Sequence, residues 1–169
     1  MVRLSSASSL LLLAASATAQ KLNSWPMHNW GGTGRITDND INTTEERQIP
    51  GQQARYSLLF NGWIRVSGFY IQSSGDFITD YAVTATIGPV GLVQLLDVGQ
   101  VCGATGNFTF VSLVNPEDGG SVWSDTLFIN VNNAKGNSST AIINEIWPVF
   151  PGDDIFDPEN TSPCPAVTK

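Results

Sequence analysis

Among the fifteen Asp and Glu residues of this chain, five are candidates for acid–base chemistry: Asp76, Asp80, Asp97, Asp125 and Glu145. Two carboxylates suffice to hydrolyse a glycoside. Asp125 and Glu145 are the sharper pair, because period-two alternation aligns Asp125 with Trp123 and Leu127, and Glu145 with Ile143 and Trp147. A carboxyl buried among such neighbours resists ionisation and can serve as a general acid. The competing reading is structural, with these acids exposed or bound to backbone groups or arginine, and no catalytic residue is assigned.

Other chemistries find fewer parts. His28 is the single histidine, and no Gly-x-Ser-x-Gly elbow accompanies it, so a serine triad has no frame. Asp38-Asn39-Asp40-Ile41-Asn42 opens like a calcium loop, but Thr43 stands where glycine is needed and Ile49 where the bidentate Glu belongs. Asp153, Asp154, Asp157 and Glu159 read as a solvated acidic tail. One histidine and two cysteines make no zinc or copper site, and the expectation is no metal and no cofactor. Five tryptophans remain. Trp25, Trp30 and Trp63 are the candidate ligand-binding aromatics, since a pyranose face packs on an indole; Trp123 and Trp147 read as core.

These side chains sit in a chain patterned for export. Met1-Val2-Arg3, an apolar run to Ala15 and Ala17-Thr18-Ala19 match a cleaved leader over residues 1–19, leaving Gln20 first. Asn42, Asn107, Asn137 and Asn160 each head an Asn-x-Ser/Thr sequon, so the expected product is an extracellular glycoprotein. In that oxidising setting Cys102 and Cys164 are expected to pair, pinning the tail to the domain. Fifteen acids against eight Lys and Arg disfavour nucleic acid as a partner, and no later run is apolar enough to insert in a membrane.

Positioning falls to β-strands. Residues 20–51 read as an irregular N-terminal arm with room for one short strand, 52–150 as an all-β antiparallel sandwich, immunoglobulin-like or jelly roll, and 151–169 as a tail. Asn61-Gly62, between residues 54–60 and 63–67, predicts a type I′ hairpin, with a bulge at Gly68 before residues 69–72. Strands follow over 77–87, 92–98, 108–114, 123–131 and 141–149, the last cut by Pro148.

Residues 106–113 followed by 124–131 resemble the final hairpin of immunoglobulin-like domains in small secreted fungal effectors, the necrosis-inducing secreted proteins being the nearest family. That resemblance implies a non-enzymatic virulence or interaction protein with a host protein target, and it carries over no functional residues. Two other functions stay open. One is a carbohydrate-binding module on a cell-wall polysaccharide; the other is a small secreted enzyme, either a carboxylate hydrolase or a shape-driven cyclase or isomerase.

Overall fold

The computed structural model describes residues 34–49, 54–88, 93–156, 158, 160–162 and 164. The leader, His28, Trp25, Trp30, Asp157 and Glu159 lie outside them. Among the described residues, eight strands form two four-stranded sheets. Sheet A holds β1 (Glu45–Gln48), β8 (Thr140–Val149), β3 (Gly68–Ser73) and β6 (Phe108–Ser112), in that order. Sheet B holds β2 (Ala54–Val66), β7 (Val122–Ala134), β4 (Ile78–Ile87) and β5 (Gln94–Val101). The chain changes sheet at every connection except β4–β5, so most neighbours in sequence face each other across the core.

Alternation drives this packing. Tyr56, Leu58, Val66, Val83, Ala85, Leu127, Ile129 and Val131 from sheet B meet Phe69, Ile71, Val111, Ala141, Ile143 and Ile146 from sheet A. Two tyrosines carry polar tips through the core. Tyr56 Oη donates to Ala141 O at 2.8 Å, and Tyr81 Oη bonds Thr109 Oγ1 at 2.9 Å, so each ties one sheet to the other. A buried hydroxyl without such a partner would be costly.

The pairing corrects several local expectations. Asn61-Gly62 makes no hairpin: β2 runs from Ala54 to Val66 along a single partner, β7. Leu59 pairs with Thr126 and Ile64 with Ser124, so residues 60–63 fall opposite Asp125 alone, and Gly62 absorbs the wide bulge at φ +122°. A two-residue turn needs its flanking strands to pair with each other, and β7 has taken that edge.

Nor is Gly68 a bulge within a continuing strand. It is the corner where the chain leaves sheet B for sheet A, and a Cβ there would stand 2.6 Å from Val111 O and 2.8 Å from the Phe110 ring. Gly68→Ala should therefore lower stability by about 1–3 kcal/mol, as overpacking does. A denaturation midpoint unchanged from wild type would show that the corner relaxes freely. Finally, residues 106–113 and 124–131 do not pair as a hairpin, since β6 and β7 belong to different sheets.

Pro148 does not cut β8. It sits in register with Phe69, and Ile146 two residues earlier donates its N–H away from β3, to Ile36 O at 2.9 Å. Pro148 shares that side of the strand, so its missing donor removes no bond of the β3–β8 ladder.

Candidate functional site

At one end of sheet B the bulges re-aim two indoles. On β7, Val122 and Ser124 are buried, as are Leu127, Ile129 and Val131. The inward phase therefore slips by one residue between Ser124 and Leu127, where Ser124 Oγ donates to Thr126 O at 2.7 Å. Before the slip, Trp123 points outward and is 57% exposed. Sequence alternation extended from Leu127 places it in the core, and the slip corrects that expectation. Trp63 is the last residue of the β2 bulge, and Arg65, two residues on, pairs in register with Trp123. The Trp63 and Trp123 rings meet edge to face, with centroids 5.7 Å apart and planes 66° from each other.

These groups open onto a cleft of about 440 Å³, completed by Ile87, Gly88, Asn115, Asp118 and Ser121. The loop that supplies the polar rim is internally braced. Asn115 Oδ1 accepts from Glu117 N, Asp118 Oδ1 accepts from Gly120 N, and Asn115 N donates to Gly120 O. Val114 N also donates to Val98 O at 2.9 Å, anchoring the loop to β5. The result is an apolar wall beside fixed hydrogen-bonding groups, a chemistry suited to a ligand with both a flat apolar face and hydroxyls. Arg65, Asn115, Asp118, Ser121 and Trp123 are not among the sequence-derived site residues. The Asn115–Gly120 turn signal is visible in the sequence, but nothing in one dimension brings it against Trp63.

No protein-family model matches the chain, and no curated protein matches it in sequence. Solved structures do match in three dimensions. A family 32 carbohydrate-binding module from C. perfringens NanJ, solved with galactose, aligns with TM-score 0.53 and 21% identity over 68% of this chain and 81% of that one. Chitosan-binding module 1 from a Paenibacillus sp. IK-5 chitosanase/glucanase aligns at 0.56 with 8% identity, over 74% and 89%. The family 32 module of Streptococcus pneumoniae EndoD aligns at 0.56 with 11% identity, over 75% and 91%.

The fold is a family 32-like jelly roll.

The resemblance to fungal effectors is thereby corrected. It rests on a hairpin that the jelly roll splits between sheets, and the structural matches are to carbohydrate-binding modules instead. Of the sequence-derived aromatics within the described residues, Trp63 lines the cleft.

The jelly roll also separates the two carboxylates singled out above. Asp125 accepts from Thr86 Oγ1 at 2.7 Å on the outer side of sheet B. Glu145 pairs in register with Gln72, next to the outward Tyr70–Trp147 pair of sheet A. The core lies between them, so they cannot flank one glycosidic bond. Asp80 is structural, with Oδ1 accepting from Gly103 N at 2.9 Å. Asp76 and Asp97 are exposed.

Glu145 nevertheless occupies an unusual place. Segment 34–44 lies over this part of sheet A, held by Asn39 Oδ1 on Trp147 Nε1 at 3.0 Å and by Asn144 Nδ2 on Ile41 O at 2.9 Å. It buries Trp147 on the outer face rather than in the main core. Beneath it Glu145 is 1% exposed; Oε1 accepts from Ile146 N, while Oε2 has no hydrogen-bond partner among the described residues. Burial pushes its carboxyl up to about 7, with the Asp38 charge adding to the rise and the Ile146 and Asn39 amides opposing it.

The covering loop is rich in oxygen. Thr43 Oγ1 alone lies within 3.0 Å of both Asp38 carboxylate oxygens, 2.9 Å of Asp40 O and 2.7 Å of Arg35 O. Such donors are of the hard type that oxygen-seeking cations use, and Asp38 and Asp40 are the residues that could supply them. No three His, Cys, Asp or Glu side chains converge on one point among the described residues.

Proposed function

We propose that this protein is a secreted, non-catalytic module that binds a polysaccharide in the Trp63–Trp123 cleft. The observation that carries the reading is the exposed indole pair beside a braced polar rim, at the end of a jelly roll like those of sugar-binding modules. Galactose is bound by the NanJ module, and chitotriose by chitosan-binding module 2 of the Paenibacillus enzyme. Those ligands make neutral and amino sugars the first classes to test. One sugar ring would lie against Trp123 while Arg65, Asn115, Asp118 and Ser121 offer donors and acceptors to its hydroxyls.

Two features support an extracellular setting. The Cys102–Cys164 disulfide suits an oxidising compartment. Asn107 and Asn137 also lie at the pole away from the cleft: Asn107 precedes the start of β6 and Asn137 follows the end of β7, whereas Trp123 stands near its beginning. Sugars carried there would leave the cleft open. In this reading residues 1–19 are the leader, and the sandwich with its tail is the working unit.

The test is retention of the purified glycoprotein on insoluble cellulose, chitin, chitosan, xylan and β-glucan. We expect retention on at least one polymer, weakened roughly 10- to 100-fold by Trp123→Ala or Trp63→Ala, as for anchoring aromatics elsewhere. Trp123→Ala should leave the melting temperature nearly unchanged, since the ring is mostly exposed. Retention that survives both substitutions would move the binding surface elsewhere. No retention on any polymer would favour a protein target.

A further inference from the structure

We propose that the fold divides the four sequons: Asn42, Asn107 and Asn137 carry sugar in the folded protein, whereas Asn160 is a structural strut that a glycan would dislodge. The first three are exposed. Asn42 donates its Nδ2 to Asp40 Oδ1 at the surface, and Asn137 occupies an exposed turn at φ +57°. All three residues lie at the surface, where a bulky polar substituent is accommodated.

Asn160 is placed differently. Its Nδ2 donates to Phe108 O, the carbonyl at the head of β6, and its Oδ1 is buried with no partner among the described residues. A Cβ built on Gly106 would stand 2.8 Å from that Nδ2, so the amide already rests on bare backbone. The Asn160 main chain is held as well: its carbonyl accepts from Thr105 N at 2.7 Å and Thr105 Oγ1 at 3.2 Å. Just beyond, Ser162 N donates to Cys102 O at 2.9 Å, and Cys164 closes the disulfide to Cys102. Asn160 is therefore the packed contact that seats the tail next to its bridge.

N-glycosylation transfers an oligosaccharide from a lipid-diphosphate donor. The sugar C1 bonds to Nδ2, the lipid diphosphate leaves, and Nδ2 loses one proton. One N–H remains and could still reach Phe108 O, so the hydrogen bond does not exclude the sugar. Space does, because the first pyranose would have to enter the volume held by Gly106 and the start of β6. A chain glycosylated at Asn160 cannot dock its tail, and docking brings Cys164 to Cys102. Sugar on Asn160 and the native disulfide are mutually exclusive in one molecule.

The experiment is peptide mapping of the intact chain secreted from a glycosylating eukaryotic host, with enzymatic deglycosylation marking each occupied Asn and alkylation marking free thiols. In the disulfide-bonded fraction we expect occupancy at Asn160 at least about ten-fold below that at Asn107. Glycan on Asn160 in disulfide-bonded molecules would overturn the proposal. Ser162→Ala gives a second reading, because it destroys the sequon while keeping Asn160. An unchanged glycoprotein mass, beyond the substitution itself, is expected. Loss of one glycan's mass would show that the wild-type site had been used.

Discussion

Removing the Cys102–Cys164 bridge by paired substitution to serine is expected to lower unfolding stability by about 4 kcal/mol. The bridge joins residues separated by 62 positions, with Cα atoms 5.1 Å apart. It forbids the unfolded chain most of the separations that a free loop of that length explores, and loop-closure entropy then sets the magnitude. The effect should have two parts. The tail contacts at Asn160 and Ser162 loosen first, and the domain then melts lower. Hydrogen exchange at the Thr105 and Ser162 amides reads the first part; urea denaturation reads the second. Because the cleft lies at the other end of sheet B, polymer retention by the folded mutant should persist. A stability change under about 1 kcal/mol would mean that the unfolded chain is already compact around this loop.

Glu145 supplies the second large effect, a loss of stability as pH rises. Its folded carboxyl titrates near 7 against an ordinary value of 4.5. Below pH 4.5 the group is protonated in both states and the contribution is fully present. Between 4.5 and 7 the unfolded chain releases its proton while the folded chain retains it, so stability falls. Above about 7 both states are ionised and the decline stops. The total is at most about 3–4 kcal/mol, each pKa unit being worth about 1.4 kcal/mol, and less where Asp38, close to solvent, is screened. Glu145→Gln keeps the shape and cannot ionise, so it should flatten this part of the stability–pH curve. Measuring in EDTA keeps adventitious cations from neutralising the carboxylate. Matching curves for wild type and the Glu145→Gln variant from about pH 4 to 8 would show that the buried group has found a compensating donor.

The division between sequence and tertiary structure follows from the range of the forces involved. Period-two alternation is a local property, and it marks out β4, β6, β7 and β8 to within a few residues, because each buries one face on the core. Cysteine pairing is also legible, since a chain with two cysteines offers only one intramolecular bridge. Non-local choices are not legible. Whether Asn61-Gly62 closes a hairpin depends on which strand takes the edge of β2, and β7, far along the chain, takes it. Alternation misassigns Trp123 because the inward phase of β7 slips between Ser124 and Leu127, opposite the β2 bulge, and a strict period of two cannot register such a slip. Trp147 is buried as its pattern implies, yet segment 34–44 buries it from outside rather than in the main core. Patterns a few residues long are thus enough to specify an all-β, disulfide-linked sandwich. That Trp63 and Trp123 share one cleft, and that Asp125 and Glu145 face opposite sides, comes from strand pairing across long loops. Those pairings set the distances between remote residues, and no local pattern encodes them.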